Sequence, residues 1–146
     1  MKVRLASKKD AQDIAEMYLE LFRHVYKTSG GDIKRLQRYV QRRLKRRNYF
    51  IFIAVMEGSV VGTVAAQLHG RIKGSIDDAY VKPAFRRKGV MRRLEKYAIK
   101  LLKGHGAVTF ELNVRANNKE GMGTWPALGY EPYKIIMVKR SSWPIK

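Results

Sequence analysis

The 146-residue sequence contains no cysteine, which excludes a disulfide framework, a thiolate metal site and a cysteine nucleophile. It also has no apolar run close to the roughly 20 residues that a membrane-spanning helix needs. The N-terminus lacks the apolar stretch of a signal peptide. A length of 146 residues, 45% of them apolar, suffices for one buried core. We therefore expect a cytoplasmic protein with a single domain over residues 1–146.

Acidic residues are scarce as well. Twelve Asp and Glu stand against 31 Lys and Arg, which gives a formal net charge of +19. Such a surplus attracts polyanions, namely nucleic acid, acidic lipid, phosphorylated cofactors or an acidic protein surface. A merely soluble, self-repelling surface is the simpler explanation. The charge alone therefore does not separate these classes of partner.

The spacing of apolar residues predicts an alternation of strands and helices. Strands are predicted at residues 3–6, 49–56, 60–68, 75–82, 109–114 and 135–138. Helices are predicted after a cap at Ser7 and over residues 33–47 and 89–103, with a poor helix beginning near residue 117 or 118. The order β-α-α-β-β-β-α-β-α-β indicates an α/β protein whose mixed sheet is covered by helices.

Residues 79–97 form the segment that carries most information. A strand stops at Pro83, a short turn follows, and a helix starts at Gly89. The first backbone N–H groups of a helix have no intrahelical partner and lie at the positive end of its dipole, so they form an anion site. Four cations within seven residues add charge, namely Arg86, Arg87, Lys88 and Arg92. A solvated basic turn is the alternative. The sequence has no Gly-Lys-Ser or Gly-Lys-Thr of a Walker A loop.

This turn resembles the signature of the GNAT superfamily of acetyl-CoA-dependent N-acetyltransferases. That signature is Arg or Gln, two residues, Gly, one residue, then Gly or Ala, and residues 86–91 read Arg-Arg-Lys-Gly-Val-Met. A second family signature resembles residues 114–118 followed by residues 128–130 (Leu-Gly-Tyr). The resemblance covers nearly the whole chain in element order. It implies a mostly antiparallel central sheet flanked by helices and acetyl-CoA as the cofactor.

The resemblance also implies which residues contact coenzyme A. Main-chain hydrogen bonds to pantetheine come from the strand before the turn, and the pyrophosphate meets the amides of the turn and the first helical turn. The family's cofactor-contacting asparagine falls on Asn118, and Trp125 is expected to line the thioester end of the cleft. The implied cofactor-binding residues are Ala79, Tyr80, Val81, Arg86, Arg87, Lys88, Gly89, Val90, Met91, Arg92, Asn118 and Trp125.

Three positions depart from the family pattern. Met91 replaces a small residue, and Trp125 stands where many members carry a tyrosine that protonates the leaving thiolate, which an indole cannot do. Residues 114–116 (Val-Arg-Ala) are similar to the N-terminal alanine acetyltransferases of ribosomal proteins. The catalytic glutamate of that subgroup falls on Asn113, so its activity is not assigned to this chain.

Glu111 and Asp78 are the candidate catalytic residues. Acetyl transfer requires an unprotonated amine and a route by which its proton leaves. Glu111 is predicted to share a strand face with Asn113, about 7 Å away, and so to replace the missing carboxylate. Asp77 and Asp78 lie on the cofactor-facing strand, where alternation lets only one of them face the cleft. Ion pairing with the surplus cations is the alternative. The three histidines have no metal-site spacing, and no metal is expected.

The acetyl acceptor is expected to be an amine. In folds of this family the first two helices border the acceptor site, and the predicted helix 33–47 carries eight cations. These cations repel polyamines and aminoglycosides and attract an acidic or nucleic-acid-associated protein or peptide. A solvated face is the alternative.

The leading hypothesis is therefore a protein or peptide N-acetyltransferase. The runner-up is a non-catalytic nucleic-acid- or ribosome-associated module that contacts nucleic acid through helix 33–47, and a third is a sensor of coenzyme A. The sequence leaves the oligomeric state open.

Overall fold

A computed structural model of the chain describes residues 1–25 and 31–141. Its strands form one five-stranded sheet in the order β1-β2-β3-β4-β5, in which neighbours are antiparallel except for the parallel pair β4 and β5. The predicted mixed, mostly antiparallel sheet is thus confirmed. The elements are β1 (Lys2–Leu5), α1 (Ala11–His24), α2 (Ile33–Leu44), β2 (Tyr49–Met56), β3 (Ser59–His69), β4 (Lys73–Val81), α3 (Val90–Gly104), β5 (Thr109–Leu112) and α4 (Lys119–Ala127).

Helices cover both faces of the sheet. Ile51 and Ile53 of β2 belong to a buried cluster with α1 and α2, whereas Phe52 and Ala54 belong to a second cluster with α3 and Trp125 of α4. Because successive side chains of a strand point to opposite faces, a strand buried on both sides reads as a continuous apolar run. Among the described residues, no helix is both long and apolar enough to cross a bilayer.

The strand predicted at residues 135–138 is wrong. Over residues 1–25 and 31–141 no strand follows β5. Instead Ile135, Ile136, Met137 and Val138 are 88%, 68%, 90% and 66% exposed. A strand-forming composition favours a pleated, half-buried surface, and it produces a strand only where a neighbouring strand supplies hydrogen bonds. Here the segment pairs with no strand within the described ranges 1–25 and 31–141.

A β-bulge interrupts the pairing of β3 with β4. Thr63 lies opposite Tyr80 and Ala65 lies opposite Asp77, so two residues of β4 face the single Val64. One of these two, Asp78, has a φ of 47°. A bulge of this kind adds an unpaired residue, with positive φ at one position, and changes the direction of the side chains that follow.

An ion pair between the half-exposed Arg4 and the buried Asp10 links β1 to the start of α1. Both terminal nitrogens of Arg4 donate to the Asp10 carboxylate, at 2.8 and 3.0 Å, and the Ser7 amide donates to it at 2.7 Å. The Asp10 side chain is only 7% exposed. The hydrogen bonds from Arg4 are the largest cause that lowers the pKa of Asp10. The folded state therefore favours the ionised form of this carboxyl group.

We expect Asp10→Asn to lower the free energy of unfolding at pH 7 by about 2 kcal/mol, as measured by urea unfolding. A carboxyl group with a depressed pKa stabilises the fold above its unfolded pKa, and this stability is lost as the pH falls through the folded pKa. The difference between wild type and variant should therefore shrink in acid. Asp13→Asn, an exposed change near the same helix terminus, is the control. Equal stability of the two variants at pH 7 would contradict this assignment.

Candidate functional site

A cleft opens where β4 and β5 separate. The two strands pair from Lys73–Thr109 to Ile76–Leu112, and β4 then continues to Val81 without β5 beside it. The cleft holds a cavity of about 630 Å³, a size that suits a small-molecule or cofactor site. Twelve of the fourteen predicted site residues line it, and Lys88 and Glu111 do not.

The turn between β4 and α3 presents a row of unpaired amides. Arg86 N donates to Pro83 O and Arg93 N donates to Gly89 O. Between them, the amides from Arg87 to Arg92 donate no hydrogen bond within residues 1–25 and 31–141. Gly89 adopts a φ of 77° at the N-cap and no side chain caps the helix. Free amides at a helix N-terminus bind phosphate groups, so this row fits a pyrophosphate.

The four predicted cations of the turn have different roles. Arg86 turns back, because its Nε donates to Val81 O at 2.8 Å and its guanidinium lies 5.4 Å from the Tyr80 ring centroid. Lys88 lies over the Phe85 ring, outside the cavity. Arg87 and Arg92 line the cavity and are exposed. Arg86 therefore holds the turn against the strand, while Arg87 and Arg92 add positive charge beside the free amides.

Trp125 and Asn118 combine packing with lining of the cavity. Trp125 is 8% exposed, and its ring meets the Tyr130 ring edge-on at 5.6 Å. The Tyr130 hydroxyl donates to Glu95 at 2.9 Å and does not line the cavity. The Asn118 side chain accepts from the Gly121 amide and so caps α4. Met91 is half-buried at the edge of the cavity.

The bulge in β4 places two carboxyl groups at the cavity. Asp77 and Asp78 both line it, so the expectation that only one of them can face the cleft is wrong. Regular alternation holds only in an uninterrupted strand, and the positive φ of Asp78 breaks it. The two neighbours differ in their hydrogen-bond partners.

Asp78 lies in a buried group of tyrosines. The Tyr49 hydroxyl donates to its Oδ2 at 3.2 Å. Burial is the main cause that raises the pKa of Asp78 and the Asp77 charge adds to it, whereas the Tyr49 hydrogen bond and the Arg43 charge act in the opposite direction. Burial, followed by the charge of Asp78, also raises the pKa of Tyr18, Tyr39 and Tyr49. A carboxyl group with a raised pKa in a cleft is a candidate proton acceptor.

Asp77 joins a polar chain that leads to the protein surface. The Ser75 hydroxyl donates to Asp77 Oδ2 at 3.0 Å, and His69 Nε2 lies 2.7 Å from the Ser75 oxygen. His69 is exposed and Ser75 is buried. The Ser75 hydroxyl group therefore holds one oxygen of Asp77, whereas the Tyr49 hydroxyl group holds one oxygen of Asp78.

Glu111 lies outside the cavity in an ion pair. Its Oε1 is 2.7 Å from Lys73 Nζ, and that hydrogen bond is the main cause that lowers the pKa of Glu111. A lowered pKa makes a carboxylate a weaker proton acceptor. Asn113, on which the resemblance places the catalytic glutamate of the N-terminal alanine acetyltransferase subgroup, lines the cavity and is exposed.

Sequence reasoning missed the residues that approach the cleft from distant segments. Tyr49 bonds Asp78 from 29 positions away, and Leu21 and Val25 of the first helical segment line the cavity. Leu21 and Val25 belong to an apolar stripe and Tyr49 begins a strand, and neither pattern indicates a functional site by itself. Only the packing of α1 and β2 against β4 brings these side chains to it.

The sequence matches a family model and a curated relative. The sequence model of the acetyltransferase (GNAT) family matches residues 11–130. A curated relative, an uncharacterised N-acetyltransferase of Methanocaldococcus jannaschii, is 28% identical over 149 aligned positions. The alignment covers 94% of this chain, and the chain spans 66% of that relative's length.

Solved structures share the fold at lower identity. A possible acetyltransferase from Clostridium difficile 630 superposes with a TM-score of 0.79 at 20% identity, with 96% of each chain covered. AAC(6')-Iy, in complex with the bisubstrate analogue CoA-S-monomethyl-acetylneamine, superposes with a TM-score of 0.76 at 18% identity, with 96% of this chain and 97% of that chain covered. Both comparisons support the fold.

We expect Gly89→Ala to weaken binding of coenzyme A about tenfold, as measured by isothermal titration calorimetry. A left-handed backbone conformation destabilises a residue that has a Cβ by roughly 1–2 kcal/mol. We therefore expect alanine at position 89 to shift the turn to another conformation, in which the free amides no longer point at the pyrophosphate. The control is Gly104→Ala at the other end of α3, where no positive φ and no neighbour within 4 Å opposes a side chain. Unchanged affinity in Gly89→Ala, or an equal loss in both variants, would contradict the expected role of the turn.

Proposed function

The chain belongs to the acetyltransferase (GNAT) family of acetyl-CoA-dependent N-acetyltransferases, and we propose that its acceptor is an amine of an acidic protein or peptide. The row of free amides from Arg87 to Arg92, beside the open edge of β4, carries the cofactor part of the proposal. Acetyl-CoA supplies an activated acetyl group when bound. The acceptor supplies the amine, and the residues around the cleft would bind both reactants and take up the proton that the amine loses.

The fit of the cofactor follows from the geometry of the cleft. The free amides and the charges of Arg87 and Arg92 would hold the pyrophosphate. Over the described residues, no strand lies beside the β4 backbone at residues 79–81 on the β5 side, and Arg86 Nε bonds Val81 O. The remaining backbone groups of these residues would hydrogen-bond an extended pantetheine as an added strand does. Trp125 would close the wall at the far end and keep water out.

We propose Asp78 as the group that accepts the amine proton. It lies at the bulge, beyond the end of the β4–β5 pairing, and burial raises its pKa. A base whose pKa is closer to the working pH takes up a proton more effectively. Glu111, paired with Lys73 outside the cavity, has the opposite properties. Tyr49 acts as a positioning residue because its hydroxyl bonds the Asp78 carboxylate.

We expect Asp78→Asn to lower kcat by roughly 100-fold or more, because the amide cannot accept the proton. Affinity for coenzyme A should stay unchanged, since pyrophosphate binding lies at the other end of the cleft. Glu111→Gln, which removes the same charge outside the cavity, should keep near wild-type kcat. In a pH–rate profile, Tyr49→Phe should move the acidic limb to higher pH, because loss of the hydrogen bond raises the pKa of Asp78 further. Full activity of Asp78→Asn would contradict the assignment.

The acceptor part of the proposal depends on the charge of α2. The Arg43 guanidinium lies 4.8 Å from the Tyr39 ring centroid and 5.1 Å from the Tyr49 ring centroid. Its charge also acts on Asp78, so α2 borders the proposed base. The exposed cations of α2 and the residues just after it form no ion pair over residues 1–25 and 31–141. They are Lys34, Arg35, Arg38, Arg42, Lys45, Arg46 and Arg47.

These unpaired cations favour an anionic acceptor over a cationic one. Acidic groups near the acceptor amine gain from the field of α2, whereas a polycationic aminosugar is repelled. The analogue bound to AAC(6')-Iy contains acetylneamine, so an aminosugar is the competing acceptor class. The same surface also favours the second candidate function, a nucleic-acid-binding module that retains the fold without turnover.

Acetyl transfer to paired peptides tests the acceptor class. We expect a peptide with acidic residues after its free N-terminus to react at least tenfold faster than a basic counterpart or neamine, and added salt should reduce this preference. Arg38→Gln with Arg42→Gln should raise KM for the acidic peptide about fivefold, because each exposed charge contributes up to about 1 kcal/mol. Lys96→Gln with Lys100→Gln on α3 is the charge-matched control.

Two results would contradict the acidic acceptor. Faster reaction of neamine would place the chain with aminosugar acetyltransferases. Salt-dependent RNA binding that is lost in the α2 variant, with no turnover of any peptide or of neamine, would favour the second candidate function. Binding of coenzyme A separates both results from a failure of the fold.

A further inference from the structure

The outer face of α3 carries a row of cations that lies outside the cleft and away from α2. The cations recur every three or four residues, so they share one face of the helix and are about 5 Å apart along its axis. This helix covers the sheet face opposite to α1 and α2. The α3 row, as we call it, consists of Arg93, Lys96, Lys100 and Lys103, which are all exposed and do not line the cleft.

Little negative charge offsets the α3 row. Within residues 1–25 and 31–141 none of its members forms an ion pair. The acidic residue of α3, Glu95, is half-buried and accepts a hydrogen bond from the Tyr130 hydroxyl at 2.9 Å. Arg93 donates to the carbonyl oxygen of Met1, a group without net charge. The row therefore attracts counterions from solution, and a polyanion that replaces them gains from their release.

An apolar hollow of about 390 Å³ lies beside the α3 row. Tyr97, which is 39% exposed, lines it, and its ring meets the buried Phe52 ring edge-on with the centroids 6.3 Å apart. Leu5 of β1 pairs in register with Phe52 and is 48% exposed, so the apolar surface continues onto the edge of the sheet. Lys100 belongs both to the row and to the hollow. The lining residues are Phe52, Tyr97, Lys100, Leu101, Gly104 and His105.

We propose that the α3 row and this hollow bind a single-stranded nucleic acid, with phosphates along the row and an unpaired base against Tyr97. Cations that follow the backbone, beside an exposed aromatic ring on which a base stacks, are the two elements that single-strand-binding surfaces combine. In a duplex the bases are stacked inside and cannot enter the hollow. An anionic lipid surface would use the cations but has no planar group for the ring. The proposal does not depend on the identity of the acetyl acceptor.

This surface leaves the cofactor site free. The helical residues of the hollow lie at positions 97–105, whereas the free amides belong to residues 87–92. Lys100 lies about 12 Å along the helix axis from Arg92. No residue that lines the hollow also lines the cleft. A nucleic-acid strand and coenzyme A should therefore bind at the same time.

Fluorescence anisotropy of a labelled oligouridine of about 12 nucleotides tests the phosphate contacts. We expect Lys96→Gln with Lys100→Gln to lower the affinity about tenfold at low salt. The slope of log K against log salt should fall by about 1.4, because two contacts of about 0.7 each are lost. Arg38→Gln with Arg42→Gln on α2 removes the same charge elsewhere and should keep the affinity within about twofold of wild type. Equal losses in the two variants would overturn the proposal, because binding would then follow net charge alone.

Substitution of Tyr97 tests the stacking. Tyr97→Ala should weaken oligouridine binding at least fivefold at every salt concentration without changing the slope, because stacking involves no counterion. Tyr97→Phe keeps the ring and should bind like wild type. Coenzyme A binding should be unchanged in every variant, which shows that the fold is intact. Unchanged affinity in a folded Tyr97→Ala would overturn the proposal.

Competition identifies the class of ligand. Oligothymidine of the same length is measured beside oligouridine, and binding of either strand supports the proposal, the tighter one identifying the sugar. Saturating coenzyme A should leave the strand bound. Absence of binding to both strands at low salt, or release of the strand by coenzyme A, would overturn the proposal. Tighter binding of a duplex of the same length, or of phosphatidylglycerol vesicles at matched charge, would do so too.

Discussion

Strands β4 and β5 separate after the Ile76–Leu112 pair, and the chemistry of the cleft depends on that separation. Backbone N–H and C=O groups are obligatory hydrogen-bonding groups, so the open side of β4 requires a partner. At the end of the same strand, the turn and the first turn of α3 present six amides, those of residues 87–92, that are free with respect to the described part of the chain. The open edge of β4 and the N-terminus of α3 thus form one continuous row of backbone hydrogen-bonding groups. Extended strand backbone lies at one end of this row and an anion site at the other. An extended molecule with a pyrophosphate group matches both parts.

The bulge in β4 determines which carboxyl groups lie beside this row of backbone groups. A non-glycine residue with positive φ is uncommon, and the strain persists only where the surroundings hold it. Around Asp78 the surroundings are burial and the Tyr49 hydroxyl group, which come from a different layer of the fold. By the resemblance described above, Asn113 stands at the position of one subgroup's catalytic glutamate and Trp125 at the position of the tyrosine that many members carry. The bulge brings two other acidic residues, Asp77 and Asp78, to the cleft.

Part of the large positive charge lies on two surfaces beside the cleft. Arg87 and Arg92 line the cavity next to the free amides of the turn, and Arg43 and Arg46 lie over the rings of the tyrosines near Asp78. The field around the cleft therefore favours anionic groups, which suits the pyrophosphate of the cofactor and is the basis on which we propose an acidic acceptor. The charge of Arg43 also opposes the burial that raises the pKa of Asp78, so α2 acts electrostatically on the carboxyl group that we propose as the proton acceptor.

Local patterns in the sequence predicted most of the elements and the helix N-terminus whose amides are free. The apolar run at residues 49–56 matches β2 in full, and the turn before Gly89 indicated phosphate because helix N-termini bind anions wherever they occur. Residues 135–138 show the limit of such patterns, because a strand needs a partner that composition cannot supply. The two aspartates show it too, since a register shift against Val64 brings both to the cleft. Which acid meets Tyr49 and which meets Lys73 was decided only by tertiary structure, because hydrogen bonds and burial depend on neighbours that are distant in the chain.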